Sequence, residues 1–151
     1  MYQHLSASAE EILQEAYHIA RQDNREYLGT EHVLWAIWKH KNSLPGGLLE
    51  DRSITAEALR LEISRHTPDD QDGSLVLSRL PGTPHFTQAM AFAIEEAERM
   101  GEVKVNPEHI LLGLLRETGC VAQKTLHHLG FDVEQARRKI ISSQNRKKNK
   151  S

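Results

Sequence analysis

Several features that would point to a specialised class of protein are scarce or missing in this sequence. A single cysteine, Cys120, rules out an internal disulfide framework and suits a reducing compartment. No apolar run approaches the roughly 18 residues of a membrane-spanning helix, and the N-terminus lacks the basic and apolar regions of a secretory signal. The formal net charge is only −2, so the body of the chain has no overall attraction for nucleic acid. We therefore expect a cytoplasmic globular protein without a membrane span.

Sequence signatures of common catalytic sites are also missing. The chain contains no G-x-S-x-G nucleophile elbow, no G-x-x-x-x-G-K-[ST] phosphate loop and no G-x-G-x-x-G motif. Cys120 follows Gly119 near the start of a predicted helix, where the helix dipole can lower the pKa of a thiol. We interpret Cys120 as a buried, inert residue, and a small hydrolase built around Cys120 or a histidine is the alternative. We expect no enzymatic activity and no cofactor.

What the sequence does contain is an internal repeat. Two Glu-His pairs, Glu31-His32 and Glu108-His109, lie 77 positions apart. The same offset pairs many small and apolar residues, among them Ala16 with Ala93, Leu34 with Leu111 and Ile63 with Ile140. An unbroken offset of this kind is the signature of a duplicated structural unit. We predict two copies, at 5–66 and 82–142, joined by a linker at 67–81 that is rich in Asp, Gly, Ser and Pro.

Each copy is predicted to fold as four helices, which makes the fold all-α. Apolar residues recur at helical spacing in "SASAEEILQEAYHIARQ", where Ser6 or Ser8 can cap the first helix. The matching helix begins at Thr83, with Pro84 in the first helical position, and stops at Gly101. The third helices are predicted at about 45–51 and 119–129, and the fourth at about 55–66 and 132–142.

The second helix of each copy begins at the Glu-His pair. Thr30 in "GTEH" and Asn106 in "NPEH" are predicted N-caps. Glu31 and Glu108 then fall in the first turn, where the helix dipole favours a carboxylate. The pattern therefore favours a helix start repeated in both copies.

The histidines of these motifs are interpreted as structural. Neighbouring residues on a helix point about 100° apart, so an adjacent Glu and His cannot easily share one metal ion. The pair His127-His128 has the same geometric problem, and we expect no metal site. His32 and His109 are expected to be packed and hydrogen-bonded to a neighbouring helix.

Two tryptophans mark a candidate contact surface. Trp35 and Trp38 lie three residues apart, so they share one side of their helix. Trp38 is predicted to be in the core, whereas Trp35 is predicted to be partly exposed and to contact a partner. The equivalent of Trp35 in the second copy is Leu112, so the two candidate partner-binding surfaces would differ.

These motifs resemble the two Clp repeats of the N-terminal domain of Clp-type unfoldase ATPases, closest to the ClpC/ClpA type. The residues that carry the resemblance are "LGTEHVLWAI" after A-x₃-A, "EEAERMG" followed by "VNPEHILLGLLRE", and "VAQKTLHHLGFDVEQAR". The match runs from near Leu5 to near Ser142. It implies a pseudo-twofold bundle of eight helices that is not catalytic and binds substrate or adaptor proteins for a Clp ATPase or protease.

The resemblance also implies a candidate ligand. In some Gram-positive members each repeat binds phosphoarginine, and the Glu of the "TEH" motif meets the guanidinium group. The corresponding residues here are Glu31 and Glu108, and the hydroxyl residues near the first helix of each repeat are Ser6 and Thr83. The second motif reads "NPEH" instead of "GTEH", and Ser6 stands where the family usually has Thr, so this sequence departs from the family pattern at both sites.

The C-terminal end raises two further questions. Nothing after residue 142 resembles an ATPase module, and we expect a free-standing Clp-repeat protein rather than a cut piece of a larger one. Such a protein would act as an adaptor or accessory subunit. The basic tail at 143–151, which includes "QNRKKNKS", is expected to be disordered and solubilising. A nucleic-acid-binding protein that uses this tail is the alternative function.

Overall fold

The computed structural model of the chain describes residues 5–23, 25, 27–67 and 82–149, with side chains described as far as residue 144. The helices are α1 (Ala7–Gln22), α2 (Thr30–Lys39), α3 (Leu44–Asp51), α4 (Ala56–His66), α5 (Pro84–Arg99), α6 (Pro107–Arg116), α7 (Val121–His128) and α8 (Val133–Asn149). The all-α prediction is confirmed over these ranges. The predicted linker lies outside the described residues from position 68 onward.

The first helix of each repeat begins as predicted. Ser6, not Ser8, caps α1: its Oγ accepts from the backbone N–H of Ala9 at 3.1 Å. Thr83 caps α5 in the same way through the N–H of Phe86 at 3.0 Å. A side-chain acceptor at this position satisfies a backbone donor that has no partner within the helix.

The second helices begin differently from the prediction at one residue. Gly29, not Thr30, is the N-cap of α2, and its backbone N–H donates to Nδ1 of His32 at 2.9 Å. The equivalent N-cap of α6 is Asn106, whose N–H donates to His109 in the same way. Thr30 is the first helical residue, and its Oγ1 accepts from the backbone N–H of Ala122 at 3.2 Å. The predicted cap therefore joins α2 to the start of α7 in the other repeat.

The last helix is longer than predicted. α8 continues to Asn149, whereas the pattern indicated an end near 142 and a disordered tail. The expectation of disorder is wrong as far as Asn149. The extra segment contains no Gly or Pro, and its Arg, Lys and Gln residues are good helix formers. Cations are also favoured near a helix C-terminus, where the partial charge of the helix dipole is negative.

Two short backbone contacts relate the repeats by a pseudo-twofold axis. The N–H of Ser6 donates to the carbonyl of Val105, and the N–H of Thr83 donates to the carbonyl of Leu28, both at 3.0 Å. The isolated bridges Leu5–Val105 and Leu28–Gly82 exchange with each other under the 77-residue offset. The start of each repeat therefore lies against the entrance to the second helix of the other repeat.

The helices form one bundle with a shared core. α1 packs along α2 and α5 along α6, while α2 contacts α7 and α3 contacts α6 across the repeat boundary. The symmetry fails at the fourth helices, because α8 packs on α6 of its own repeat whereas α4 packs mainly on α7 of the other. Within the described residues, no helix is both long and apolar enough to cross a bilayer.

Candidate functional site

The four residues predicted to bind phosphoarginine fall into two mixed groups. Because of the reciprocal backbone contacts, Ser6 lies beside the entrance to α6, which carries Glu108. Thr83 lies beside the entrance to α2, which carries Glu31. Each group thus combines an acid of one repeat with a hydroxyl residue of the other. That these groups bind phosphoarginine stays a prediction.

The two equivalent acids are in different environments. Both lie in the first turn of their helices, as predicted. Glu31 is only 6% exposed, and its Oε2 accepts from the hydroxyl of Tyr27 at 3.4 Å. Burial raises the pKa of Glu31, although the positive charge of Arg25 and the Tyr27 hydroxyl act in the other direction. Glu108 is only half-buried, so it is the more accessible of the two carboxylates.

The two histidines of the motifs serve their own helices. His32 and His109 are almost completely buried, as predicted. Their Nδ1 atoms accept from the N-cap N–H groups of Gly29 at 2.9 Å and Asn106 at 2.8 Å. The prediction that they join neighbouring helices is wrong, because each bond lies within one helix start. Burial lowers the pKa of His32 to about 4 and also lowers the pKa of His109, so neutral rings act as capping acceptors.

A cavity of about 720 Å³ lies beside the first of these motifs. It is bordered by α1, α2 and α4, and Trp35 and Lys39 of α2 line it together with Ile19 and Arg60. We call this cavity the Trp35 pocket. Trp35 is half-buried, as predicted. Its ring lies edge to face with the ring of Trp38, and the two ring centroids are 5.6 Å apart. An aromatic ring therefore lines a pocket that carries both cationic side chains and the acids Asp23 and Glu31.

Trp38 is anchored rather than fully enclosed. It is half-buried against the core, and its Nε1–H donates to the carbonyl of Ile54 at 3.0 Å. Lys41 places its Nζ 4.8 Å from the centre of the Trp38 ring. These contacts hold the helix face on which Trp35 lies.

In the second repeat the corresponding location is filled. Leu112, the equivalent of Trp35, is 0% exposed, so it belongs to the core and not to a contact surface, contrary to the prediction. In the second repeat α8 packs on α6, whereas in the first repeat α4 packs mainly on α7. Glu96, the equivalent of Ile19, is 1% exposed and binds Arg137 at 2.9 and 3.2 Å and Arg116 at 3.0 Å. Burial opposes ionisation of Glu96, yet the arginines lower its pKa on balance.

The first repeat keeps the cations of this arrangement but has no acid at the position equivalent to Glu96, although Asp23 and Glu31 also line the pocket. The 77-residue offset aligns Arg116 with Lys39 and Arg137 with Arg60, both of which line the Trp35 pocket. Nζ of Lys39 lies 3.2 Å from Oε1 of Glu15, with which it forms an ion pair. No ion pair of Arg60 occurs within the described part of the chain. An aliphatic side chain, Ile19, stands where Glu96 stands in the second repeat.

The lone cysteine is buried, as interpreted from the sequence. Cys120 is 1% exposed and is the N-cap of α7, where its Sγ accepts from the N–H of Gln123 at 3.3 Å. Burial raises the pKa of the thiol, so the reactive thiolate form is disfavoured. This environment argues against the alternative of a hydrolase built on Cys120.

A cluster at the contact of α4 and α7 was not anticipated from the sequence. Glu62 and His66 of α4 meet His128 of α7, and their ligand-type atoms lie within 4.8 Å of one another. Glu62 and His66 have the i,i+4 spacing that places two side chains on one face of a helix, which is a signal that sequence reasoning could have used. The contribution of His128 depends on the packing of the two repeats.

Comparison with known proteins identifies the class of this bundle. The model of the family "Clp repeat (R) N-terminal domain" matches residues 4–117 and 81–151. The chain belongs to this family. The predicted resemblance is therefore confirmed.

The relatives include larger proteins of the Clp system. The chain is 29% identical over 141 residues to an ATP-dependent Clp protease ATP-binding subunit ClpA homolog of Cyanidium caldarium, a match that covers 93% of this chain and 16% of the relative. It is 27% identical over the same length to the chloroplastic chaperone protein ClpC1 of Arabidopsis thaliana, of which it covers 15%. The chain thus spans about one-sixth of the length of these curated relatives.

Solved structures share the fold. The N-terminal domain of ClpD from Arabidopsis thaliana superposes with a TM-score of 0.74 at 17% identity, covering 96% of this chain and 97% of that domain. The ClpV N-domain, solved in complex with a VipB peptide, has a TM-score of 0.70 at 15% identity, covering 88% and 82%. At identities this low, the structural similarity establishes the common fold alone.

Proposed function

We propose that this chain is a non-catalytic protein-binding module that receives substrate or adaptor proteins for a Clp ATPase or protease. Membership of the Clp repeat family supports this role, as does the peptide complex of the ClpV N-domain. The observation that carries the proposal is the open Trp35 pocket beside a filled equivalent in the second repeat.

The chemistry of the Trp35 pocket indicates the kind of side chain it receives. In the second repeat two cations hold the carboxylate of Glu96 inside the protein. In the first repeat the equivalent cations, Lys39 and Arg60, border a cavity that is also lined by Asp23 and Glu31, and Ile19 takes the position of Glu96. A partner segment that supplies a Glu or Asp side chain would complete the same charge pattern. An apolar neighbour of that acid would pack on Trp35, because aromatic rings provide large contact areas at binding sites.

The test is affinity capture from native lysate with the purified chain as bait. We expect Clp ATPase or protease subunits, or their substrates, to be captured by the wild type and lost by the double charge reversal Lys39→Glu/Arg60→Glu. Lys124→Glu, on the exposed side of α7, is the matched control and should capture as the wild type does. Capture of Clp components that is equal for all three baits would exclude the Trp35 pocket, and absence of Clp components would contradict the proposed role.

Phosphoarginine is a second proposed ligand, at the two mixed groups formed by Glu31 with Thr83 and Glu108 with Ser6. It is supported by the family resemblance and by the helix N-termini that meet there, since free N–H groups favour a phosphate. Calorimetry with free phosphoarginine should give heat that Glu31→Ala and Glu108→Ala each reduce. If the wild type gives no heat, this ligand is excluded.

A further inference from the structure

The contact between α4 and α7 brings together three side chains that are common metal ligands. Glu62 and His66 lie one turn apart on α4, and His128 is the last residue of α7. The imidazole Nε2 of His66 is 3.6 Å from Oε2 of Glu62, and the rings of His66 and His128 have centroids 4.9 Å apart. One carboxylate and two imidazoles form a ligand set that zinc sites use.

Two of these atoms are buried without a hydrogen bond, although they lie within ion-pair distance of each other. Oε2 of Glu62 and Nε2 of His66 make no hydrogen bond to any described residue. A buried polar atom without a hydrogen bond is costly, and such atoms are rare in folded proteins. The other oxygen of Glu62, Oε1, accepts from Nη1 of Arg65 at 2.9 Å. The carboxylate is therefore held by one oxygen while the other faces the histidines.

We propose that Glu62, His66 and His128 form a binding site for a divalent transition-metal ion, with Zn²⁺ as the best fit. Zinc bonds of about 2.0–2.2 Å in tetrahedral geometry place ligand atoms about 3.3 Å apart. The separation of 3.6 Å between Glu62 and His66 is already close to this value. The widest separation, 4.8 Å, requires His128 to move inward by on the order of 1.5 Å. Its exposed position at the end of α7 allows that movement.

Three protein ligands leave one position of a tetrahedral ion for water or for a ligand from a partner. The bond between Arg65 and Glu62 orients the carboxylate from outside the site, as hydrogen bonds to metal ligands commonly do. Both imidazoles bind in the neutral form, so protons compete with the metal and acid releases it.

The site is specific to one side of the molecule. The 77-residue offset places Lys139, Ser143 and Asp51 at the equivalents of Glu62, His66 and His128. A set with one lysine and one serine lacks the ligands for zinc, so duplication alone does not account for the cluster. α4 and α7 come from different repeats, and a shared ion would therefore clamp the first repeat to the second.

The experiment is calorimetric titration of the untagged chain with Zn²⁺ at neutral pH. Wild type should bind one ion per chain with a dissociation constant of micromolar or less, and Co²⁺ should give the absorption bands of a four-coordinate ion. Glu62→Gln and His128→Ala should each weaken Zn²⁺ binding at least tenfold. Both changes are mild for the fold, because the first is isosteric and the second lies at an exposed position.

The matched control is His127→Ala, since His127 is the exposed neighbour of His128 and is not part of the cluster. It should bind Zn²⁺ as the wild type does. Zn²⁺ should also raise the melting temperature of the wild type and of His127→Ala, but not that of the two site variants. The proposal is overturned if wild type does not bind Zn²⁺, if the site variants bind it unchanged, or if His127→Ala loses as much affinity as His128→Ala.

Discussion

Glu96 should contribute more to stability than any exposed acid of the chain. Its carboxylate is 1% exposed and accepts three hydrogen bonds from Arg137 and Arg116. In Glu96→Gln the two guanidinium groups lose their buried anionic partner. Arg137 keeps the exposed carboxylate of Glu134 at 2.9 Å, and Arg116 keeps that of Glu95 at 3.6 Å. Arg116 also stacks on Phe92, with its guanidinium carbon 4.2 Å from the ring centre, so the arginine is held in place when its partner changes.

The magnitude follows from the burial of the pair. Removal of one partner from a fully buried ion pair costs about 3–5 kcal/mol. Arg116 and Arg137 keep side-chain exposures of 18% and 22%, so water can partly solvate them in the variant. We therefore expect Glu96→Gln to lower the free energy of unfolding by about 2 kcal/mol. Glu95 is half-exposed, and its Oε1 lies 3.6 Å from Nη2 of Arg116, so Glu95→Gln should lower the free energy of unfolding by less than about 0.5 kcal/mol.

The assay is urea unfolding followed by circular dichroism, at neutral pH and near pH 4. The folded-state pKa of Glu96 is lowered, so its stabilisation is present above the unfolded-state pKa and is lost as the pH falls through the folded-state value. The gap between wild type and Glu96→Gln should therefore be widest near neutral pH and shrink in acid. Equal stability of Glu96→Gln and Glu95→Gln at neutral pH would refute the argument from burial.

Three further outcomes test other parts of the structure. The pKa of His32 is lowered to about 4, so the folded protein resists protonation of this ring, and the free energy of unfolding should fall by about 3 kcal/mol as the pH drops from 6.5 to 4. NMR titration of the His32 ring checks the pKa, and a midpoint near 6.5 would contradict it. Gly46→Ala should destabilise the protein by more than about 1 kcal/mol, because its Cβ would collide with the backbone carbonyl of His40. Gly47→Ala should be neutral or stabilising, since its Cβ would make only an ordinary contact at 3.9 Å inside a helix; thermal unfolding of both variants decides this. Cys120 should react with a thiol reagent only after unfolding, and fast reaction of the native chain would show that its burial is incomplete.

Much of the architecture could be predicted because it depends on local chemistry. Apolar residues at helical spacing define the helices, and Ser6 and Thr83 are hydroxyl residues at positions where a helix start has unpaired N–H groups. The positive φ of Gly101, at 72°, explains the end of α5 in the same local terms. The prediction that Thr30 caps α2 was wrong because its hydroxyl is used elsewhere: Oγ1 accepts from the backbone N–H of Ala122, 92 residues away.

The candidate sites depend on contacts that the pattern of one helix does not contain. Trp35 and Leu112 occupy equivalent positions, yet one borders a cavity and the other is fully buried, because α8 covers α6 while α4 turns toward α7. The cluster of Glu62, His66 and His128 also depends on the packing of α4 against α7.

The duplication, the helical class and the family can be read from the amino-acid sequence, because each depends on side-chain spacing within a segment or on comparison between the two halves. The open cavity of one half, the buried charge of Glu96 and the set of ligands at the α4–α7 contact become visible only in the folded molecule. Those features depend on the direction in which helices pack, and packing direction is set by the fit of whole surfaces that are far apart along the chain.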